Sequence, residues 1–224
     1  MTVRFLSIAV LLGAVLSCQN GNKAPIPKGN EKLKIAILSF EGFDERLLEV
    51  AKNEIEAFYH SEASFLEKAL LPDTAYYPPR NRYRAEKLIA WQKAHKPDSV
   101  DIILGLTASD ISTTKGEYED WGILGLAYRP GVSCVVSTFR LKKSVADNAH
   151  FEERFAKVVL HELGHNLGIS HCKSSEICLM QDACGTIKTI DKEEKILCEK
   201  CAGQIEKLAK VSEVKEQPTK SRGQ

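Results

Sequence analysis

The sequence predicts a mixed α/β (α+β) fold in which a β-sheet packs on helices. Short apolar runs of strand length alternate with stretches whose apolar residues recur at helical spacing. The region over residues 33–210 has the length of one domain with a sizeable core. The last long helical stretch leads directly into a histidine-rich segment, so a functional site is expected at its end.

Strands are expected where apolar runs lie between turn-forming residues. The expected strands cover residues 33–40, 64–66, 100–106, 121–128 and 132–141. Arg129, Pro130 and Gly131 separate the last two runs and predict a tight turn. The proline-bounded stretch 72–79 is expected to interrupt regular structure.

Helices are expected over residues 46–59 and 82–95, and from Asp147 or Asn148 to about residue 167. The side chain of Asp147 or Asn148 would cap the third helix. Within that helix, Phe151, Phe155 and Val158 recur at the spacing of one face, which we expect to meet the core.

Residues 161–171 carry the strongest functional signal, because they read H-E-x-x-H-x-x-G-x-x-H. On a helix, His161 and His165 lie one turn apart on one face, so both imidazoles can reach one metal ion. Gly168 lets the chain leave the helix sharply, and the turn returns His171 as a third ligand. A fourth position stays open for water, as in catalytic zinc sites. Glu162 is placed to take a proton from that water.

A cysteine array follows the third histidine and has the form C-x5-C-x-M-x17-C-x-x-C, from Cys172 to Cys201. This segment resembles the archaemetzincins, zinc peptidases of the metzincin clan, whose usual pattern has one residue fewer between the first two cysteines. The resemblance implies a metzincin-like mixed β-sheet packed on helices, with a zinc-binding active-site helix and a C-terminal helix. It also implies a Met-turn at Met180.

The resemblance further implies a second, structural zinc ion held by four thiolates, so that the chain would bind two zinc ions. The ligands would be Cys172, Cys178, Cys198 and Cys201. A closed tetrahedral site of this kind contributes to folding and not to chemistry. Two alternatives stay open. The six cysteines that follow Cys18 could form disulfides, since an even number is common in exported proteins, or Cys184 could take the place of Cys178. Cys134 lies in an apolar run and is expected to be a small buried residue.

The last two cysteines of the array are expected on a C-terminal helix. Asp191 and Glu194 form a capping pair ahead of an apolar dipeptide, which predicts a helix beginning near Asp191. Cys198 and Cys201 would then share one helix face and point at the loop that carries the other two cysteines.

The N-terminus has the pattern of a lipoprotein signal peptide. Arg4 precedes an apolar run over residues 5–16, which is too short to span a bilayer comfortably. Residues 15–18, Val-Leu-Ser-Cys, resemble a bacterial lipobox in which Cys18 receives the lipid. The alternative is an ordinary signal peptide with an incidental cysteine. Both readings predict export, and in the first the lipid anchor would hold the protein at the membrane of the bacterial cell envelope.

The predicted organisation has four parts. They are a signal peptide (1–17), a lipid-anchored flexible tether (18–32), the zinc peptidase domain (33–210) and a disordered tail (211–224). The 31 basic and 30 acidic residues are balanced, and no basic patch suggests a nucleic-acid partner. The expected partner is a peptide or protein substrate, and the protein is expected to be a monomer.

Gly122, Ile123, Leu124 and Gly125 form a candidate substrate-binding edge. In metzincins a substrate pairs as an added strand along the sheet edge above the zinc, and two glycines would let its backbone come close. The alternative is an ordinary strand with glycines at a bulge.

Two functions fit these observations. In the first, the protein is a zinc metallopeptidase in which Glu162 serves as general base and then general acid. In the second, it is a zinc-containing surface lipoprotein that binds a peptide or protein partner and cleaves little. The presence of Glu162 favours the enzyme, since a non-catalytic zinc site has no need for a carboxylate there.

Overall fold

Strands and helices alternate along the chain in a computed structural model that describes residues 31–183 and 186–205. The strands are β1 (Lys34–Ser39), β2 (Glu62–Phe65), β3 (Tyr76–Tyr77), β4 (Arg82–Arg84), β5 (Ile102–Thr107), β6 (Ile111–Lys115), β7 (Tyr118–Ile123), β8 (Gly125–Ala127) and β9 (Ser133–Ser137). The helices are α1 (Arg46–Tyr59), α2 (Ala85–His95), α3 (Asn148–Asn166), α4 (Ile187–Lys192) and α5 (199–205). The predicted signal peptide, Cys18, most of the predicted tether, Cys184 and the predicted tail lie outside the described residues.

The strands form two sheets. The main sheet has the order β2-β1-β5-β9-β8, in which the first four strands are parallel and β8 runs antiparallel along β9 at one edge. The second sheet has the order β3-β4-β6-β7. The sheets are therefore mixed, and with the helices they give the predicted α/β class.

Side chains of the main sheet alternate between two cores, as the two-residue period of a strand requires. Ile35 and Ile37 of β1 pack with α1 and α3 on one face. Ala36 and Leu38 of the same strand pack with α2 on the other face. Both faces of β1 are thus covered by helices. Helix α3 packs against the sheet through its buried residues Phe155 and Val159.

The structure confirms several of the predicted strands and helices. The predicted helix 46–59 is α1 with the same bounds, and the predicted strands 33–40 and 100–106 are β1 and β5. The predicted strand 64–66 is present two residues earlier, as β2. Asp147 caps α3, because its side chain accepts a hydrogen bond from the backbone N of His150 at 2.8 Å.

The predicted strand 121–128 is wrong as a single element, because the chain changes sheets at Leu124. Ile123 pairs with Ile111 in the second sheet, whereas Gly125 pairs with Val136 in the main sheet. The next predicted strand, 132–141, ends at Ser137. Strand β6, which was not predicted, supplies the partner for β7, and its polar sequence ISTTK carries no apolar run.

Two helix starts also differ from prediction. Residues 82–84 form β4, because the backbone N of Tyr83 bonds to the carbonyl of Asp110, and α2 begins only at Ala85. No helix begins near Asp191, which instead lies in α4 and accepts hydrogen bonds from the guanidinium of Arg154 at 2.6 and 2.8 Å. The C-terminal helix α5 begins at residue 199. Within the described ranges, no helix combines the length and hydropathy that crossing a membrane would require.

Candidate active site

The three histidines of the motif meet at the C-terminal end of α3. His161 and His165 project from its last turns, and Gly168, with a φ of 94°, reverses the chain so that His171 returns towards them. One ring nitrogen from each residue lies within 4.8 Å of the others. Nε2 of His165 and Nε2 of His171 are 3.1 Å apart, close to the spacing of about 3.3 Å that two nitrogens have around tetrahedral zinc. The donor set and its spacing therefore fit a zinc ion.

Backbone carbonyls orient two of these rings. Nδ1 of His161 lies 2.8 Å from the carbonyl oxygen of Leu179, and Nδ1 of His165 lies 2.8 Å from that of Ile169. Donation from Nδ1 fixes the tautomer that leaves Nε2 free for a metal. Burial lowers the pKa of His161 to about 4 and that of His165 to about 3, so both rings are neutral at pH 7 and able to bind a metal.

Glu162 lies beside the histidines and is only 7% exposed. Its carboxylate occupies the volume next to Gly125 of β8, where an added Cβ would come within 2.6 Å of Oε1. Burial raises the pKa of Glu162 to about 8. A cation held by the adjacent histidines would act in the opposite direction and favour the carboxylate.

Met180 lies directly under the helix that carries the histidines. Its sulfur fills the space beside Gly164, where an added Cβ would lie 2.6 Å away. The preceding residue, Leu179, is the one whose carbonyl bonds to His161. The segment predicted as the Met-turn therefore supports the histidines through both packing and a hydrogen bond.

The four cysteines of the array converge on a second point. They are Cys172, Cys178, Cys198 and Cys201, whose sulfur atoms lie within 4.8 Å of one another. The sulfurs of Cys172 and Cys198 are 3.6 Å apart, near the spacing of about 3.8 Å for thiolates around tetrahedral zinc. All the described cysteines are free thiols.

Hydrogen bonds favour the thiolate at Cys172, whereas burial raises the pKa of Cys178 and of Cys201. Burial acts to raise the pKa of Cys172, but hydrogen bonds from the backbone at Ser174 and Ser175 and from neighbouring thiols lower it to about 7. The backbone N of Cys198 also donates to the sulfur of Cys178. Cys134 lies apart, fully buried in the main core, as predicted.

A cavity of 280 Å³ opens beside the histidines. Ile123, Leu124 and Gly125 of the predicted substrate edge line it, and β8 is an edge strand of the main sheet. Gly122 is placed differently, because the space beside it is filled by the guanidinium of Arg140. Both glycines of the predicted edge thus make room for side chains of this chain.

Charged residues that sequence analysis missed also line the cavity. Lys157 lies one turn before His161 on α3, and Glu193 follows α4. Burial raises the pKa of Glu193 to about 7, opposed by the charge of Lys157. Neither residue stands in a motif, and only the packing of α4 against α3 brings them together.

Known proteins are similar to this chain in sequence and in fold. The model of peptidase family M54 matches residues 48–207. The archaemetzincin of Haloquadratum walsbyi is 33% identical over 158 residues, which cover 67% of this chain and 87% of that protein.

Solved structures agree with this family match. The crystal structure of the Methanopyrus kandleri archaemetzincin has a TM-score of 0.69 and 26% identity, over 83% of this chain and 99% of that chain. The Archaeoglobus fulgidus archaemetzincin, solved in complex with malonate, has a TM-score of 0.65 and 26% identity, over 77% and 99%. This chain therefore belongs to peptidase family M54, the archaemetzincins, and is a zinc-dependent metallopeptidase with the mixed α/β fold of that family.

Proposed function

We propose that Glu162 is the general base and general acid of peptide-bond hydrolysis, at a zinc ion held by His161, His165 and His171. The observation that carries this proposal is the burial of Glu162 beside the three histidines, in the cavity that they line together. When bound, the zinc ion supplies Lewis-acid chemistry that polarises the scissile carbonyl and acidifies a water molecule. Glu162 takes the proton from the attacking water and then delivers it to the leaving amine.

The substrate backbone would lie along β8, an edge strand of the main sheet, where an extended peptide can add as a strand. All three residues of β8, Gly125–Ala127, line the cavity that also contains Glu162. The peptide would thereby present a carbonyl to the histidines while its side chains alternate between the cavity and solvent.

We further propose that the cysteine cluster binds a structural zinc ion, giving two ions per chain. The convergence of four sulfur atoms within 4.8 Å of one another, with 3.6 Å between those of Cys172 and Cys198, supports this assignment over disulfides. The ion would tie the segment after the third histidine to the start of α5. It would thus stabilise the loop from which His171 projects.

The N-terminal sequence supports attachment to a membrane through a lipid on Cys18. Metabolic labelling with a radioactive fatty acid tests this directly, with Cys18→Ala as the matched variant. Label on the wild type alone would support the anchor, and label on neither protein would indicate an ordinary signal peptide.

The central experiment compares cleavage of a peptide mixture by the wild type and by Glu162→Gln, each with its zinc content measured. Loss of the base is expected to lower kcat by about 10² to 10⁴-fold with zinc retained. Glu152→Gln makes the same chemical change about 15 Å away along α3 and should leave cleavage unchanged. Equal cleavage by Glu162→Gln would contradict the role of Glu162. Binding of peptides without cleavage by the zinc-loaded wild type would favour a binding protein of low activity.

A further inference from the structure

The cavity beside the histidines is lined by charged side chains as well as by apolar ones. Val158 and Ile190 contribute apolar walls from α3 and α4, and Glu193 lies among the lining residues. Its volume of 280 Å³ is near the lower limit of about 300 Å³ for small-molecule pockets. Such a space suits one side chain of a substrate rather than a length of chain.

Glu193 is buried there with its bonding incomplete. Its side chain belongs to a residue that is 4% exposed, and Oε1 has no hydrogen-bond partner in the part of the chain that the structure describes. A buried carboxylate oxygen without a partner is unfavourable for folding, so its presence beside an active-site cavity calls for an explanation.

Lys157 does not neutralise Glu193 directly. Its Nζ donates to the carbonyl of Ile190 at 3.2 Å and lies 3.5 Å from Oε1 of Glu153 on the preceding turn of α3. Among the described ion pairs, Lys157 is matched with Glu153 and not with Glu193. The other cation of the cavity, Lys115, lies over the ring of Trp121, with 5.3 Å between Nζ and the ring centroid. Two other carboxylates line the cavity, Glu162 and Asp182, and Oδ2 of Asp182 lies 3.8 Å from Nδ1 of His171. Among the described carboxylates of the cavity, Glu193 is the one with a buried oxygen that lacks a hydrogen-bond partner, so it is the one that a substrate cation would satisfy.

We propose that Glu193 determines specificity, by accepting the cationic end of a lysine or arginine side chain next to the scissile bond. The hydrocarbon stem of that side chain packs between Val158 and Ile190, and its charged end completes the hydrogen bonding of the Glu193 carboxylate. This inference rests on the proposed peptidase function, because it assigns a substrate class to the same site.

The first test uses peptides that differ at one position, which is lysine, arginine, norleucine or glutamate, placed in turn on each side of the scissile bond. Norleucine keeps the stem of lysine and lacks its charge. For the wild type we expect kcat/KM to be at least about tenfold higher for lysine than for norleucine on one side of the bond, as a charge-assisted hydrogen bond provides. In Glu193→Gln, which keeps the shape and removes the charge, this ratio should fall towards one. Glu194→Gln, the same change at the exposed neighbouring residue, should keep the wild-type ratio.

A second measurement separates this inference from the proposed catalysis. Two hydroxamate inhibitors, identical except for a lysine or a norleucine side chain, are titrated by calorimetry into zinc-loaded Glu162→Gln protein. Tighter binding of the lysine compound by about tenfold, lost in Glu162→Gln/Glu193→Gln, supports the assignment. Equal affinities of the two compounds, or a preference that survives without Glu193, overturn it. Selective binding together with no cleavage by the wild type would leave the role of Glu193 intact and refute the peptidase mechanism.

Discussion

The carboxylate of Glu162 fills the space that a side chain at Gly125 would need. An ideal Cβ at Gly125 would lie 2.6 Å from Oε1, 2.7 Å from Cγ and 2.9 Å from Cδ of Glu162. The sequence suggests that Gly125 lets a substrate backbone approach. In the structure, the space left by its missing side chain is occupied by Glu162, the proposed base. Strand β8 and helix α3 together thus set the position of Glu162.

Gly125→Ala is expected to reduce activity without removing the metal. The added methyl group would push the Glu162 carboxylate aside, and displacement of a reacting group by about 1 Å costs on the order of 10²-fold in rate. Steady-state kinetics and zinc analysis of the variant test this. Gly203→Ala is the control, because an added Cβ at Gly203 meets nothing within 4 Å. Full activity of Gly125→Ala would mean that Glu162 can move without loss.

Gly164→Ala is expected to destabilise the protein although the position is helical. Alanine gains about 1 kcal/mol over glycine in an open helix. Here the new Cβ would lie 2.6 Å from the sulfur of Met180, which is fully buried. Overpacking of this kind costs about 1–3 kcal/mol, so we expect a lower free energy of unfolding.

Denaturant unfolding of the Gly164→Ala and Gly203→Ala variants measures this difference. The Gly203 variant should be as stable as the wild type or more stable, since its helix position is open. A gain in stability for both variants would show that Met180 moves aside at no cost, and that the turn beneath the histidines is not tightly packed.

The sequence predicts this protein best where the signal is local. The histidine motif places three ligands through one helix and one glycine turn, and Asp147 caps that helix through its own side chain. The bounds of α1 follow from its apolar spacing alone. Such features need only neighbours along the chain, so they can be inferred without the fold.

The features that escaped prediction depend on distant partners. The run 121–128 is apolar throughout, but its two halves pair with β6 and β9, and only those pairings place the break at Leu124. Asp191 and Glu194 have the spacing of a capping pair. The Asp191 carboxylate instead accepts hydrogen bonds from Arg154, which is distant in the sequence. Glu193 reaches the cavity only because α4 packs on α3. No local pattern distinguishes these residues from solvated surface charges.

Asp191→Asn tests the ion pair between Asp191 of α4 and Arg154 of α3. The guanidinium of Arg154 holds the pKa of Asp191 at about 2, below its usual value. Because the folded-state pKa is depressed, the stabilisation is present above the unfolded pKa of about 3.9 and is lost as pH falls towards 2. Since the Asp191 side chain is 34% exposed, solvent screening limits the expected loss at pH 7 to about 1–2 kcal/mol.

We therefore measure the free energy of unfolding of the wild type and of Asp191→Asn at pH 7, 4 and 2. The difference between the two proteins should become smaller from pH 7 to pH 4 and again from pH 4 to pH 2. Asp44→Asn is the control, because the pair between Asp44 and Arg46 is exposed and should contribute little at any pH. A difference that stays constant down to pH 2 would show that the Asp191 carboxylate is not what stabilises α4 against α3.

Metal analysis of cysteine and histidine variants tests the two proposed zinc sites separately. We expect two zinc ions in the wild type and one each in His165→Ala and Cys198→Ser, because each change removes one ligand from a different cluster. The melting temperature should fall further in Cys198→Ser, since a structural ion contributes folding free energy. Mass spectrometry of the native protein counts the ions.

Cys134→Ala serves as the control for the loss of a thiol, because this buried residue stands outside the cluster and should leave both ions in place. Cys184→Ser separates the two candidates for the fourth ligand. Retention of two ions in this variant favours Cys178, whose sulfur already lies with the other three. A different result would contradict the structural zinc site: one zinc ion in the wild type, with cysteines that react only after a reductant is added. It would show that the cysteines form disulfides, since oxidised thiols cannot bind the ion.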